Sequence, residues 1–309
     1  MSSNNIIPSS KSELTLHSCP ICQVIPKRTR GGGNSCYAIV SPWIRELGVT
    51  RKRLSRYSIC AVCKVGWFSL RYSEEGLQNL YMHYRGENYT AIRTKWEGWY
   101  SQLYNYGHES ESWLRLRSDT IKNFLRDKIN LSSLEVVDIG GDTGEIAAKL
   151  GAKTFRVEEI SDRAEKSNNA DDNGERVMAM LGHVLEHVRF PKEFLKTLLG
   201  DYESVYVEVP NGLPKITKRR RSIGYLLIGL AASLHPFFWR TFSHPSAGRS
   251  NPADLLRVSE HLTFFTEESL EALSADLFDA GISRSFRVTQ ILPPQGSSPV
   301  LVLQAFWSR

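Results

Sequence analysis

The run VVDIGGDTGEIAAKL, Val136 to Leu150, constrains the fold more than any other stretch of this chain. Val136, Val137 and Ile139 read as a short buried strand around Asp138. Gly140, Gly141 and Gly144 make a tight turn, and the alanines and leucine after Glu145 are good helix formers. Glycine lacks a Cβ and tolerates positive φ, so such a turn lets the backbone approach a ligand closely. One residue breaks the pattern. Asp142 stands in the turn where a glycine is expected. Aspartate enters the left-handed region more readily than most residues, so the turn can persist, with a carboxylate beside the ligand space.

The chain beyond this unit keeps alternating. TFRVEEI, RVMAML and SVYVEVP read as strands, and PKEFLKTLL as a helix entered at Pro191. TEESLEALSADLFDAG reads as a helix capped by Thr266 and stopped by Gly281. RVTQILPP and VLVLQAFW, joined by QGSSP, form a hairpin. This order predicts an α/β fold, a doubly wound Rossmann-like sheet with an antiparallel C-terminal hairpin, and ligands outside the carboxyl ends of the strands. Only 17 residues, Ile160 to Arg176, separate Glu159 from the RVMAML strand. That gap is short for a helix, a strand and their loops, so a strand of the usual pattern is shortened or missing there.

The 309 residues, 41% hydrophobic and 23% charged, suffice for a large core and an appendage. The expected division is an N-terminal module over 1–88, a helical connector over 89–130 and the main domain over 131–309. Within the connector, Trp96, Trp99, Tyr100, Leu103 and Tyr104 recur at helical spacing and read as packing surface. Before it, a helix capped by Ser73 is expected to run to about Tyr84.

The module carries CPIC (Cys19, Cys22) and CAVC (Cys60, Cys63), with 37 residues between the pairs. The absence of a signal peptide predicts an intracellular, cytoplasmic chain, in which such cysteines are metal ligands more often than disulfides. Four thiolates complete a closed tetrahedral site, so the expected metal is a structural Zn²⁺. Cys36, after GGGNS, is expected to be a free thiol in a flexible loop.

The net charge of +6 favours anionic partners without deciding among them. KITKRRR is followed by the apolar run Ser222 to Trp239, which is short for a membrane span and contains His235 and Pro236. A lid over 213–257, or a surface-lying membrane contact through 218–240, fits it better.

The ordered set C-x-x-C…C-x-x-C, VVDIGGDTG, VEEIS, HVLEHV, VEVPNG and EHLTFF resembles class I S-adenosylmethionine-dependent methyltransferases. More narrowly, it is similar to bacterial sugar C-methyltransferases with an N-terminal four-cysteine zinc module. The resemblance implies a donor site over Asp138, Gly140, Gly141, Asp142 and Gly144. Glu159 would accept the ribose hydroxyls, with Glu158 as the neighbouring candidate, and His183 would line the site. His183 and His187 read equally as packed, hydrogen-bonded histidines. In SEHLTFF, Glu260 and His261 match the family's Glu-His pair, in which the histidine resembles a general base. The tyrosine two residues before that glutamate is Val258 here. The acceptor implied is a sugar nucleotide, a glycan or a related small molecule, lipid-linked forms included. An RNA methyltransferase with a zinc reader and a catalytically inactive interaction protein are the competing readings. Against the RNA reading, no N-P-P-[YF] motif follows the RVMAML strand.

Overall fold

The computed structural model describes residues 13–26, 34–81, 84, 86–100, 110–141, 143–160, 176–243, 255–275, 283–291 and 300–308. Its N-terminal part comprises β1 (Leu14–Thr15), β2 (Ser35–Val40), α1 (Pro42–Glu46), β3 (Leu54–Ile59), β4 (Gly66–Phe68), β5 (Leu70–Arg71) and α2 (Glu74–Tyr81). The helices α3 (Glu87–Trp96) and α4 (Glu111–Leu125) follow. The helix expected to reach about Tyr84 is described over Glu74–Tyr81; residues 82 and 83, Leu103 and Tyr104 lie outside the described residues.

The main sheet starts with β6 (Glu135–Ile139), α5 (Glu145–Lys149), β7 (Thr154–Glu158), β8 (Val177–Gly182), α6 (Pro191–Asp201) and β9 (Ser204–Pro210). After α7 (Ile223–Ala232), α8 (Pro236–Ser243), β10 (Arg257–Val258), β11 (Thr263–Phe264) and α9 (Glu267–Leu273), the chain closes with β12 (Ser283–Ile291) and β13 (Val300–Ser308). The strand order is β12-β13-β9-β8-β6-β7. β7, β6, β8 and β9 are parallel; at the far edge β13 runs antiparallel to β9, and β12 pairs antiparallel with β13. This is the doubly wound sheet with a terminal hairpin that the alternation predicts. Among the described residues β7 is the opposite edge strand. The gap expected to be shortened falls on 161–175, outside the described residues.

Both faces of the sheet are covered, which explains its unbroken apolar strands. Val137, Leu181, Val207 and Leu303 point to one face, against Leu195 and Leu198 of α6 and Leu270 of α9. Val136, Met178, Met180 and Tyr206 point to the other, against Ile121 and Phe124 of α4 and Ala147 of α5. Burying each large side chain of this kind contributes about 1.5–3 kcal/mol.

The chain goes from β6 out to β7 and then back to β8 on the other side, so the order reverses between β6 and β8. A crevice opens at the carboxyl ends of strands at such a reversal.

The second sheet has the order β10-β2-β3-β4-β11. Its three central strands are N-terminal, but both edges come from 257–264: β10 runs parallel to β2, and β11 antiparallel to β4. Residues 259–262 therefore form a strap from one edge of this sheet to the other. Tyr72 Oη donates to Ser259 O at 2.6 Å, and the fully buried Arg71 donates to Leu262 O at 2.8 Å. Phe265 then bridges to Asn211, just past β9. The strap is thus fastened to both sheets.

Candidate functional site

The two cysteine pairs fold into the same local structure twice. Gln23 N donates to Cys19 O at 3.1 Å and Lys64 N to Cys60 O at 3.2 Å. Cys19 N donates to Val24 O at 3.0 Å and Cys60 N to Val65 O at 2.9 Å. Gln23 and Lys64 each adopt a φ of 60° to make these turns. The result brings Cys19 Sγ and Cys63 Sγ to 3.5 Å, Cys22 Sγ and Cys60 Sγ to 3.5 Å, and all four sulfurs within 4.8 Å of one another. Ligands about 2.3 Å from a tetrahedral zinc stand roughly 3.8 Å apart, so the donor set fits. A hydrogen bond from the Cys19 thiol pulls the Cys63 thiol down to about 5, favouring the thiolate that a metal requires. Cys36 takes no part. It lies buried in β2, opposite Tyr57, and burial pushes its thiol up to about 11. The expected exposed loop thiol is an inert core residue, because the strand begins at Ser35, one residue before it.

The glycine turn leaves β6 at Gly140, φ 67°, and enters α5 at Gly144, φ 68°. A Cβ on Gly141 would stand 2.1 Å from Asp138 Cγ, and one on Gly144 would stand 2.6 Å from Val157 Cγ2. Gly141 is therefore required by packing, and Gly144 by packing and backbone shape alike. Gly144→Ala combines a left-handed alanine with a clash against β7. It is expected to lose about 2–4 kcal/mol of stability, measured by urea unfolding. Asp142 lies outside the described residues. Asp138 is buried at the turn, and burial raises its carboxyl to about 7 against the opposing pull of Arg117. At the end of β7, Glu158 is buried and accepts from Tyr202 Oη at 3.0 Å and Arg156 Nε at 3.2 Å. Glu159, one residue on, is exposed.

The neighbouring strand end carries the histidines. A Cβ on Gly140 would lie 3.2 Å from Val184 Cγ2, so the segment after β8 borders the glycine turn directly. His183 has a φ of 61° and stands 3.3 Å from Glu186 Oε1 through Nδ1 and 3.3 Å from Glu208 Oε1 through Nε2. Burial alone would depress this imidazole, but the two carboxylates override it and hold it at about 9. Glu208 is also paired with Arg117 at 2.5 Å and accepts from Tyr206 Oη at 3.2 Å. Both glutamates are held at about 2: burial opposes this, and His183 with His187 for Glu186, or Arg117 with His183 for Glu208, prevails.

His187 Nδ1 meets Tyr81 Oη at 3.0 Å, and its ring stands edge-on to His261, with centroids 4.7 Å apart. Glu186, His187 and His261 each offer one donor atom within a 4.8 Å span, a grouping that could also hold a cation. Burial, reinforced by His187, lowers His261 to about 4, so it is neutral at pH 7. Among the described residues its imidazole has ring neighbours but no hydrogen-bond partner, leaving it open to take a proton. Its companion Glu260 faces the other way. The Glu260 carboxylate is buried, bonded by Tyr89 Oη and by Arg93 at 2.8 Å. Arg93 is itself stacked over Tyr100 at 4.1 Å and Trp43 at 4.8 Å. Glu260 thus anchors the strap that presents His261. The aromatic residues of the connector serve as packing, as expected, and Arg93 gives them this added role.

The sequence motifs assign no role to Arg117, Glu186 or Glu208. Glu208 did carry a signal, since a carboxylate inside an apolar parallel strand is rarely buried without a charged partner. No family model matches the sequence, and no curated protein matches it. Among solved structures, the chain is similar to magnesium protoporphyrin IX methyltransferase from Synechocystis PCC 6803 with bound SAH, at 13% identity over 65% of this chain and 84% of that one, TM-score 0.33. It is similar to the plantazolicin methyltransferase in complex with SAH, at 10% identity over 72% and 97%, TM-score 0.35. It is also similar to a putative RNA methyltransferase from Pyrococcus horikoshii, at 13% identity over 66% and 84%, TM-score 0.29. Likenesses of this size carry no inference about the reaction or the acceptor.

Proposed function

We propose that the chain is an S-adenosylmethionine-dependent methyltransferase acting on a sugar nucleotide, a glycan or a related small molecule. One observation carries this reading: the glycine turn after β6, the His183–His187 segment after β8 and His261 on the strap converge at the point where the strand order reverses. Asp138 and the turn Gly140 to Gly144 would lie under the donor's amino-acid part and ribose, with Asp142 beside them. Glu159, exposed at the end of β7, would accept the ribose hydroxyls, while Glu158 is buried against Tyr202 and Arg156. His183 would line the donor site, and His261 would take the acceptor proton, with Glu260 holding its loop. The donor, when bound, supplies the methyl group; these residues bind it and handle the proton.

Titration calorimetry with S-adenosylmethionine tests the reading. The wild-type chain should bind, and Glu159→Ala should weaken binding by about 1.5–3 kcal/mol, the range for hydrogen bonds to a charged group. No heat and no thermal stabilisation with millimolar-range donor would leave the interaction-protein reading in its place. RNA that co-purifies with the chain and accepts methyl would shift the acceptor class.

The grouping of Glu186, His187 and His261 supports a second reading of the same pocket, in which a divalent cation held there orients the acceptor's oxygens. Methyl transfer that stops with a chelator and returns with Mn²⁺ or Fe²⁺, ions that two imidazoles and a carboxylate suit, would favour it over base catalysis by His261.

A further inference from the structure

We infer that the α7–α8 hairpin docks the protein on an anionic bilayer surface. The hairpin is divided sharply between two faces. Tyr225, Ala232 and Trp239 are buried against the second sheet, and Tyr225 Oη accepts from Leu256 N at 2.8 Å. A Cβ on Gly229 would stand 2.8 Å from Ile39 Cγ1, so the helix lies tight on β2. Its outer side is apolar without a cover among the described residues. Ile223 is 76% exposed, Leu227 59%, Ile228 48%, Leu234 63%, Phe237 65% and Phe238 52%. Surface hydrophobics are ordinarily scattered singly, whereas these six fall within 16 residues of one hairpin.

Charge identifies the occupant. Residues 213–243 hold six of the 39 Lys and Arg and none of the 33 Asp and Glu, so the rest of the chain is balanced and the whole net charge of +6 resides here. Lys215, Lys218, Arg219 and Arg221 are exposed at the foot of α7. An apolar face that sinks into the acyl boundary beside cations that meet headgroup phosphates is the pattern of a surface-lying anchor. A second copy of the chain suits the patch poorly, because a two-fold contact would set this cationic cluster near its own image. A span is excluded for the described residues, none of whose helices is long and apolar enough to cross a membrane. The inference does not depend on the methyltransferase reading, and its test uses no donor.

The full chain should co-sediment with phosphatidylcholine vesicles containing phosphatidylglycerol, and much less with phosphatidylcholine alone. Substituting Ile223→Ser, Leu227→Ser and Phe237→Ser together should lower partitioning by roughly 10²-fold. Lys218→Gln, Arg219→Gln and Arg221→Gln together should lower it by a similar roughly 10²-fold on anionic vesicles and hardly at all on neutral ones. Hydrogen exchange on the wild-type chain provides a reading free of any folding defect, with new protection on vesicle addition confined to the hairpin. No vesicle binding, equal binding to both lipids, or protection elsewhere would overturn the inference. So would a concentration-dependent dimer that the apolar substitutions dissolve without lipid.

Discussion

Cys19→Ser combined with Cys60→Ser is expected to abolish stoichiometric zinc and, with it, the folded state of the whole chain. Together the two substitutions remove one ligand from each of the two matching turns, so neither pair can hold the ion. The effect should not stay local. Cys19, Cys60 and Cys63 belong to the same buried cluster as Val137, Leu181, Leu198 and Phe265 of the main sheet and its helices. A structural zinc contributes on the order of 10–16 kcal/mol in small modules, which matches or exceeds the roughly 5–15 kcal/mol net stability of an ordinary domain. Metal analysis of protein purified without added zinc should give one zinc per wild-type chain, and the double variant should be found in the insoluble fraction. Cys36→Ala serves as the control: it deletes a buried thiol in β2 and should keep the metal. Stoichiometric zinc in a soluble double variant would refute the site.

The sequence revealed local units far better than their assembly. The four-cysteine set was legible because its geometry is carried by two short repeats, each closed by its own backbone hydrogen bonds. The strand-turn-helix at Val136 was legible because burial on both faces of a parallel sheet leaves an unbroken apolar run, and because Gly141 and Gly144 are forced by neighbours. The position of His261 was not legible. Its place depends on residues 257–264 supplying both edges of a sheet whose other strands lie some two hundred residues earlier in the chain. No local pattern encodes that pairing: β10 and β11 are two residues each, below any readable period. The family resemblance implies a glutamate that helps the histidine. The strap bends at Ser259 and Glu260, and here Glu260 turns to Arg93 while His261 turns to His187. The N-terminal part therefore does more than gather four cysteines: Arg71 and Tyr72, together with Tyr89 and Arg93 of α3, fasten the strap that carries His261.

That strap makes His261→Gln the most informative single substitution in the crevice. Glutamine keeps a hydrogen-bonding side chain but cannot take a proton at neutral pH. If His261 is the base, methyl transfer to the acceptor should fall by roughly 10²–10⁴-fold, measured with labelled donor across a panel of sugar nucleotides. Donor affinity should hardly change, because Glu159 and the glycine turn are untouched. A purely packing role predicts the reverse, with a lower Tm and near-normal specific activity in the folded fraction. The pH dependence supplies an independent check. His261 sits at about 4 rather than 6.5, because burial and His187 disfavour its charged form. It thus remains a neutral acceptor well below neutrality, and the acid limb of kcat/KM should fall near 4 to 5 instead of the usual histidine range. The same shift acts on stability. Because the folded pKa is depressed, the contribution of neutral His261 is complete above about 6.5 and is lost as pH falls toward 4. His183 is raised to about 9, so its contribution is complete below 6.5 and is lost as pH rises through 9. The two dependences are opposed, and His261→Gln should remove the His261 share of the acid-side loss while leaving the alkaline one. Unfolding curves that keep the same acid slope in this variant would show that His261 is not the neutral imidazole on which the base assignment rests.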